Sequence, residues 1–164
     1  MKISLIKLDQ FSGRRTNFYT VAVDDDDKSL FQHFIESNLE QHGTEIRNLL
    51  MRIKTMGDVT GAREQFFKLR EGKADDAVAA LYDIPSKKLR LYCLRYGNCT
   101  VILGDGGPKT TRTYNEDENL DGIVRLLQRI SKLLDNGIRN RDVRINEDGT
   151  IDCDDEITDE YEDD

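Results

Sequence analysis

Apolar residues recur along this chain with two different periods, and the changes of period mark its elements. "ISLIKL" (Ile3 to Leu8) and "TNFYTVAV" (Thr16 to Val23) are rich in β-branched and aromatic residues and read as strands, with "FSGRR" supplying the turn between them. Leu30, Phe31, Phe34, Ile35 and Leu39 then fall at helical spacing and give one apolar face. Gly43 is expected to end that helix and Thr44 to cap a second, striped by Ile46, Leu49, Leu50, Ile53 and Met56 and stopped by Gly57. The preceding "DDDDK" (Asp24 to Lys28) reads as a turn followed by acids that favour a helix N-terminus.

Beyond Gly61 the period returns to two. "FFKLR" and "AVAALYDI" are short strand-like runs, and "KLRLYCLRY" and "CTVILG" are the strongest strand signals in the chain, joined by the hairpin signal "YGNC". Alternation places Arg90, Tyr92, Leu94 and Tyr96 on one face and Leu89, Leu91, Cys93 and Arg95 on the other. That pattern predicts one core face and one face showing a row of Arg and Tyr. Asn119 or Asp121 opens a long helix with a stripe from Leu120 through Leu134, which Gly137 is expected to close before "DVRI". Strands, a helical pair, several antiparallel strands and a helix, in that order, predict an α+β fold. No internal repeat is present.

Composition narrows the class. The chain has 164 residues, enough for one domain with its own core, and is 37 % hydrophobic and 34 % charged. No apolar run approaches the roughly 18 residues that a membrane span needs, and "MKISLIKLDQ" is too polar for a signal peptide. Cys93, Cys99 and Cys153 are odd in number and unhelpfully spaced, and only His33 and His42 could join them. A disulfide framework, a zinc site and a cofactor are therefore not expected, and a reducing, cytoplasmic setting is. The net charge of −8 is divided unevenly. Residues 147–164 hold eleven acids and no base, whereas residues 1–146 hold 21 acids and 24 bases, a net of +3. The expectation is a mildly basic domain over 1–146 followed by a solvated, disordered acidic tail over 147–164.

The candidate chemistry is basic and aromatic. "GDGGPKT" (Gly104 to Thr110) fails as a phosphate loop, because Leu103 and Pro108 stand where glycines are required and no helix follows at once; its glycines are expected to turn the chain out of a strand. No G-x-S-x-G motif exists, and the carboxylates crowd the tail, where no rigid element is expected to hold them. What remains is Arg70, Arg90, Arg95, Lys109 and Arg112 with Tyr92, Tyr96 and Tyr114. Arginine presents a planar donor fork that matches phosphate, and tyrosine offers a face on which a base stacks. The plain alternative, ordinary outward charges on a half-exposed sheet, holds for any single member.

From Gly61 to Ile138, "FFKLREG", "LYDIPSKKLRLYCLRYGNCTVILGDGGPKTTRT" and the helix "LDGIVRLLQRISKLLDNGI" resemble the RelE/ParE toxin superfamily, in particular its HigB-like branch. The resemblance implies a helical pair and a C-terminal helix packed around a twisted antiparallel sheet; the N-terminal β element before the helices and the acidic tail are additions to a minimal toxin of this kind. It implies an endoribonuclease that cuts messenger RNA, often on the ribosome, by attack of the 2′-hydroxyl on the adjacent phosphate and without a metal. Residue by residue it assigns catalysis to Arg90, Lys109 and Arg70 and, as a looser fit, Tyr114; Arg95 and Arg112 fit loosely too, and with Tyr92, Tyr96, Lys87 and Lys88 of the basic and aromatic pattern they are expected to bind RNA. Here "GGPKTT" replaces the family's aromatic followed by paired lysines. The implied partners are a cognate antitoxin protein and RNA or the ribosome, with no membrane and no small-molecule cofactor, and a homo-oligomer is left open. The same fold also serves non-catalytic protein-binding modules, including gyrase-directed ParE-like inhibitors and mobile-element interaction proteins, and both readings stand at this point.

Overall fold

The structure, a computed structural model, describes residues 1–69, 77–108 and 118–159. Its elements run β1 (Lys2–Lys7), β2 (Asn17–Val23), α1 (Leu30–Thr55), β3 (Lys68–Leu69), β4 (Val78–Tyr82), β5 (Leu89–Tyr96), β6 (Thr100–Pro108), α2 (Glu118–Arg139), β7 (Val143–Ile145), β8 (Ile151–Cys153) and β9 (Ile157–Thr158). Seven strands form one sheet in the order β3-β4-β5-β6-β2-β1-β9, and β7 and β8 form a separate hairpin. The architecture is α+β, as the order of periods predicts.

The sheet is mixed rather than antiparallel throughout. β2 pairs with β6 in parallel, Phe18 opposite Val101, because α1 and the β3–β5 meander intervene and return the chain in the same direction. Thr20 fastens this junction: its hydroxyl donates to the Leu103 carbonyl at 2.7 Å and accepts from the Phe31 N–H at the start of α1.

The expected pair of helices is one kinked helix. Ser29 caps it by accepting from the Gln32 N–H, and the only non-helical residue inside is His42 (φ −132°, ψ 38°). The break falls one residue before Gly43, and Gly43 and Thr44 continue the second segment instead of separating it.

Both faces of the sheet are covered. Phe18, Leu81, Leu89, Leu91, Val101 and Leu103 pack under α1, with Phe34, Ile46, Leu49 and Ile53. Ile3, Val21, Ala80, Tyr92, Leu94 and Ile102 pack under α2, with Val124, Leu127, Ile130 and Leu134. Central strands buried on both sides read as continuous apolar runs, which is what "VAALY" is and what "LRLYCL" is apart from Arg90. The face expected to show Arg and Tyr is therefore the inner face of the α2 layer, and the alternation marked two cores.

The glycine-rich run also departs from expectation. It does not turn the chain out of the sheet; β6 continues through it to Pro108, with a bulge where Leu91 and Cys93 face Gly106 and Leu103. At Gly106 a Cβ would lie 1.8 Å from the Arg90 carbonyl oxygen, so the bulge presses backbone onto backbone where only glycine fits. Gly137 likewise does not end α2, which runs to Arg139; Val143 packs against it, with its Cγ2 2.6 Å from where a Cβ would stand.

The acidic stretch is not a separate disordered tail as far as Asp159. β8 pairs with β7, and β9 adds to the sheet beside β1. The link between β7 and β8 is bonded into the sheet: Asn17 Nδ2 donates to the Asp148 carbonyl, Thr100 Oγ1 to the Gly149 carbonyl, and the Ile151 N–H to the Tyr19 hydroxyl. Ile151 and Ile157 supply apolar contacts that acid counting overlooks.

Candidate nucleic-acid interface

The sequence singled out ten residues, and the structure separates them. Arg70, Lys109, Arg112 and Tyr114 lie outside the described residues. Arg90 and Tyr92 have no exposed surface, Arg95 and Tyr96 are half-buried, and Lys87 and Lys88 are exposed.

Arg90 sits at the start of β5, opposite Tyr82 of β4 and Gly107 of β6. Its guanidinium carbon lies 5.5 Å from the Tyr82 ring centroid and 5.8 Å from that of Tyr92, and Nη1 donates to the Tyr92 hydroxyl at 2.8 Å. Two aromatic faces around one cation form a stabilising box in a water-poor site. As folded, this arginine is sealed from any phosphate in solvent.

Arg95 is also engaged internally. Nε donates to the Ala62 carbonyl at 2.9 Å, Nη2 to Asn98 Oδ1, and the guanidinium lies 6.0 Å from the Phe67 ring centroid, with Glu64 at 3.9 Å. It fastens the β5–β6 hairpin to the chain entering β3.

Three cations, Arg52, Lys68 and Lys87, lie together on the α1 side of the β3–β4 edge. Arg52, Gln65, Phe66, Phe67, Lys68, Tyr82, Ile84 and Lys87 line a cleft of about 460 Å³, and among the described residues its wall carries three cations and no carboxylate. A recess of about 270 Å³ adjoins it, shares Arg52 and Phe66, and is otherwise lined by Asn48, Met51, Thr55, Met56 and Thr60. Asn48 and Arg52, one helical turn apart, hold the β4–β5 link: Asn48 Oδ1 accepts from the Ile84 N–H at 2.9 Å, and Arg52 Nη1 donates to the Tyr82 carbonyl.

The same link is braced from within by Asp83, whose buried carboxylate accepts from the Leu89 N–H at 2.7 Å. Lys87 takes a left-handed conformation (φ 53°) in this turn, and its N–H donates to the Asp83 carbonyl. Burial pushes the Arg52 pKa down and the nearby Asp83 charge pushes it back up. An arginine titrates so far above neutrality that the cation persists. Neither Lys87 nor Lys88 has an ion-pair partner among the described residues.

This arrangement suits an anion with a planar apolar part: phosphate on the cations, a ring against Phe66. Sequence reading reached Lys87 and missed Arg52, Lys68 and Phe66. The available signal was Arg52 following Asn48 by four residues on a helix whose other face is apolar; only the fold shows that this face meets the basic turn.

No group of three or more His, Cys, Asp or Glu side chains able to hold a metal occurs among the described residues, and no helix there is long and apolar enough to cross a membrane. Comparison with protein-family models, with curated proteins and with solved structures gave no match.

Proposed function

We propose that this chain is a toxin component of RelE/HigB type, acting in the cytoplasm and restrained by a cognate antitoxin, and that it engages RNA through the cleft of Arg52, Lys68 and Lys87. The single observation carrying this reading is that cleft: three cations, aromatic and amide groups, and no acid among the described residues that line it, in a protein whose net charge is negative. Such a wall attracts a phosphate backbone and repels most acidic surfaces. In the catalytic form of the proposal, the 2′-hydroxyl of RNA attacks the adjacent phosphate, the bond to the 5′-oxygen breaks, and a cyclic phosphate and a 5′-hydroxyl result. Arginine and lysine would stabilise the charge that develops on the phosphate.

A second reading, binding without cleavage, is favoured by the complete burial of Arg90, the residue to which the resemblance gives the leading catalytic role. One experiment addresses both. Fluorescence anisotropy with a labelled single-stranded RNA, from low to high salt, compares the wild type with the Lys68→Ala/Lys87→Ala double variant, and the products are analysed for cyclic-phosphate ends. Binding that weakens steeply with salt, and about tenfold in the double variant, supports the interface; cyclic ends add catalysis. An RNA affinity that is absent at low salt, or indifferent to the double variant, sinks the proposal.

A further inference from the structure

The edge of the sheet farthest from this cleft is only partly closed. In β1, the Leu8 N–H donates to the Phe18 carbonyl, and the Asp24 N–H donates to the Lys2 carbonyl, at the two ends of the β1–β2 ladder. Antiparallel pairing alternates, so the even-numbered residues of β1 point their backbone groups to β2 and the odd-numbered ones point outward. β9 meets that outer side only at Lys2 and Ile3. The N–H and C=O groups of Leu5 and Lys7 are left on an open edge, with no backbone partner among the described residues.

Beside this edge lies an apolar groove. α1 packs over β6 and β2 and stops short of β1, leaving a cavity of about 460 Å³ whose apolar lining is Ile6, Leu8, Phe11, Phe31, Ile35 and Leu50. Ile6 is 40 % exposed. It shares the α1 side of the sheet with Leu8, so a strand added to β1 would set alternate side chains alongside it, over the groove.

The rim is acidic. Asp27 lines the groove, Asp9 is 87 % exposed just past β1, and Asp24 to Asp26 follow β2. Lys2, Lys7 and Lys28 are already paired with Asp25, Asp9 and Glu36. A second copy of this chain would bring the same aspartates against one another and is disfavoured.

We propose that β1 is a docking edge for an extended segment of a partner protein, one that alternates apolar residues with lysine or arginine and pairs with the backbone of Leu5 and Lys7. The backbone hydrogen bonds hold the segment, the groove takes its apolar side chains, and the aspartates select the positive ones. Two strand edges then have separate roles: the β3–β4 edge faces polyanions, and the β1 edge faces a cationic peptide.

The test is selection of eight-residue peptides from a random displayed library on the intact chain, with counter-selection against Ile6→Asp. Enriched peptides should alternate apolar and basic residues. A synthetic copy should bind the wild type at least tenfold more tightly than Ile6→Asp, and methylating its backbone nitrogens at alternate positions should abolish binding. Hydrogen exchange should show the Leu5 and Lys7 amides protected on binding. Lys7→Pro, which deletes one outward N–H at an edge where proline is tolerated, should weaken binding as well, and circular dichroism checks that both variants are folded. Acidic or patternless winners overturn the proposal, as do affinities indifferent to Ile6→Asp and to methylation. So does protection of the Leu5 and Lys7 amides that rises with protein concentration alone, which would assign the edge to a second copy.

Discussion

Two arginines lie at the same corner of the sheet and meet opposite fates. Arg90 is enclosed between Tyr82 and Tyr92 on the α2 side, with no exposed surface. Arg52 lies on the α1 side, donates to the backbone carbonyl of that same Tyr82, and lines an open cleft. The residue type and the anchor are shared; the layer above differs. α2 lies across the sheet over the first, whereas the half of α1 carrying Arg52 ends beside a short edge strand and leaves a gap. A cation's chemistry is thus decided by what packs over it: one is a structural member of the fold, the other is available to a ligand.

The strongest way to break this contrast is Arg90→Ala. It removes a fully buried cation, its bond to Tyr92 and its two aromatic faces, and should cost about 3–5 kcal/mol of stability by urea unfolding. RNA affinity of the fraction that stays folded should be unchanged. A variant of wild-type stability that has lost RNA binding would reverse the assignment and return Arg90 to the site.

Next in size is the cleft. Lys68→Ala and Lys87→Ala, both at exposed positions, should leave stability within about 0.5 kcal/mol. Together they should lower RNA affinity about tenfold, and each should reduce the slope of log affinity against log salt by about 0.7. Arg52→Ala should lower affinity as well and also loosen the β4–β5 link, because it gives up the bond to the Tyr82 carbonyl. If Lys88→Ala has the larger effect, the interface lies on the turn itself rather than in the cleft.

This contrast also shows where sequence reading stops. Apolar period located every major element, since helix and strand spacing are local properties: the stripe of α2 and the runs of β4 to β6 were legible. Which face of β5 would be covered was not legible, because a row of Arg and Tyr looks the same whether a helix lies over it or water does. The parallel β2–β6 pair was hidden for the same reason, being a contact between segments some eighty residues apart. The acidic stretch misled by composition: Gly149 (φ 89°) turns tightly beneath Cys99, with the Cys99 carbonyl oxygen 2.1 Å from where its Cβ would stand, and two isoleucines outweigh the acids around them. The cleft escaped because Arg52, Lys68 and Lys87 belong to three elements, and no spacing relates them.

The smallest expected effect concerns a third charged group, intermediate between the two arginines in exposure. Asp105, in the bulged part of β6, is half-buried and accepts from the Gly106 N–H at 2.7 Å. Burial raises its pKa, only partly offset by the Gly106 bond and by His33. A raised carboxyl pKa means that the folded chain holds this proton more tightly than the unfolded one. Its contribution therefore favours folding at acid pH and is lost as pH rises through the folded value. Asp105→Asn keeps an acceptor for the Gly106 N–H and removes the charge. It should stabilise the protein modestly at neutral pH, by no more than about 1 kcal/mol, and the gain should vanish below the ordinary aspartate range. Thermal unfolding of both proteins from pH 3 to pH 7 reads this directly. A gain that persists at pH 3 would show that packing, not charge, sets the balance at Asp105, and the rule drawn from the two arginines would not extend to groups that burial covers only in part.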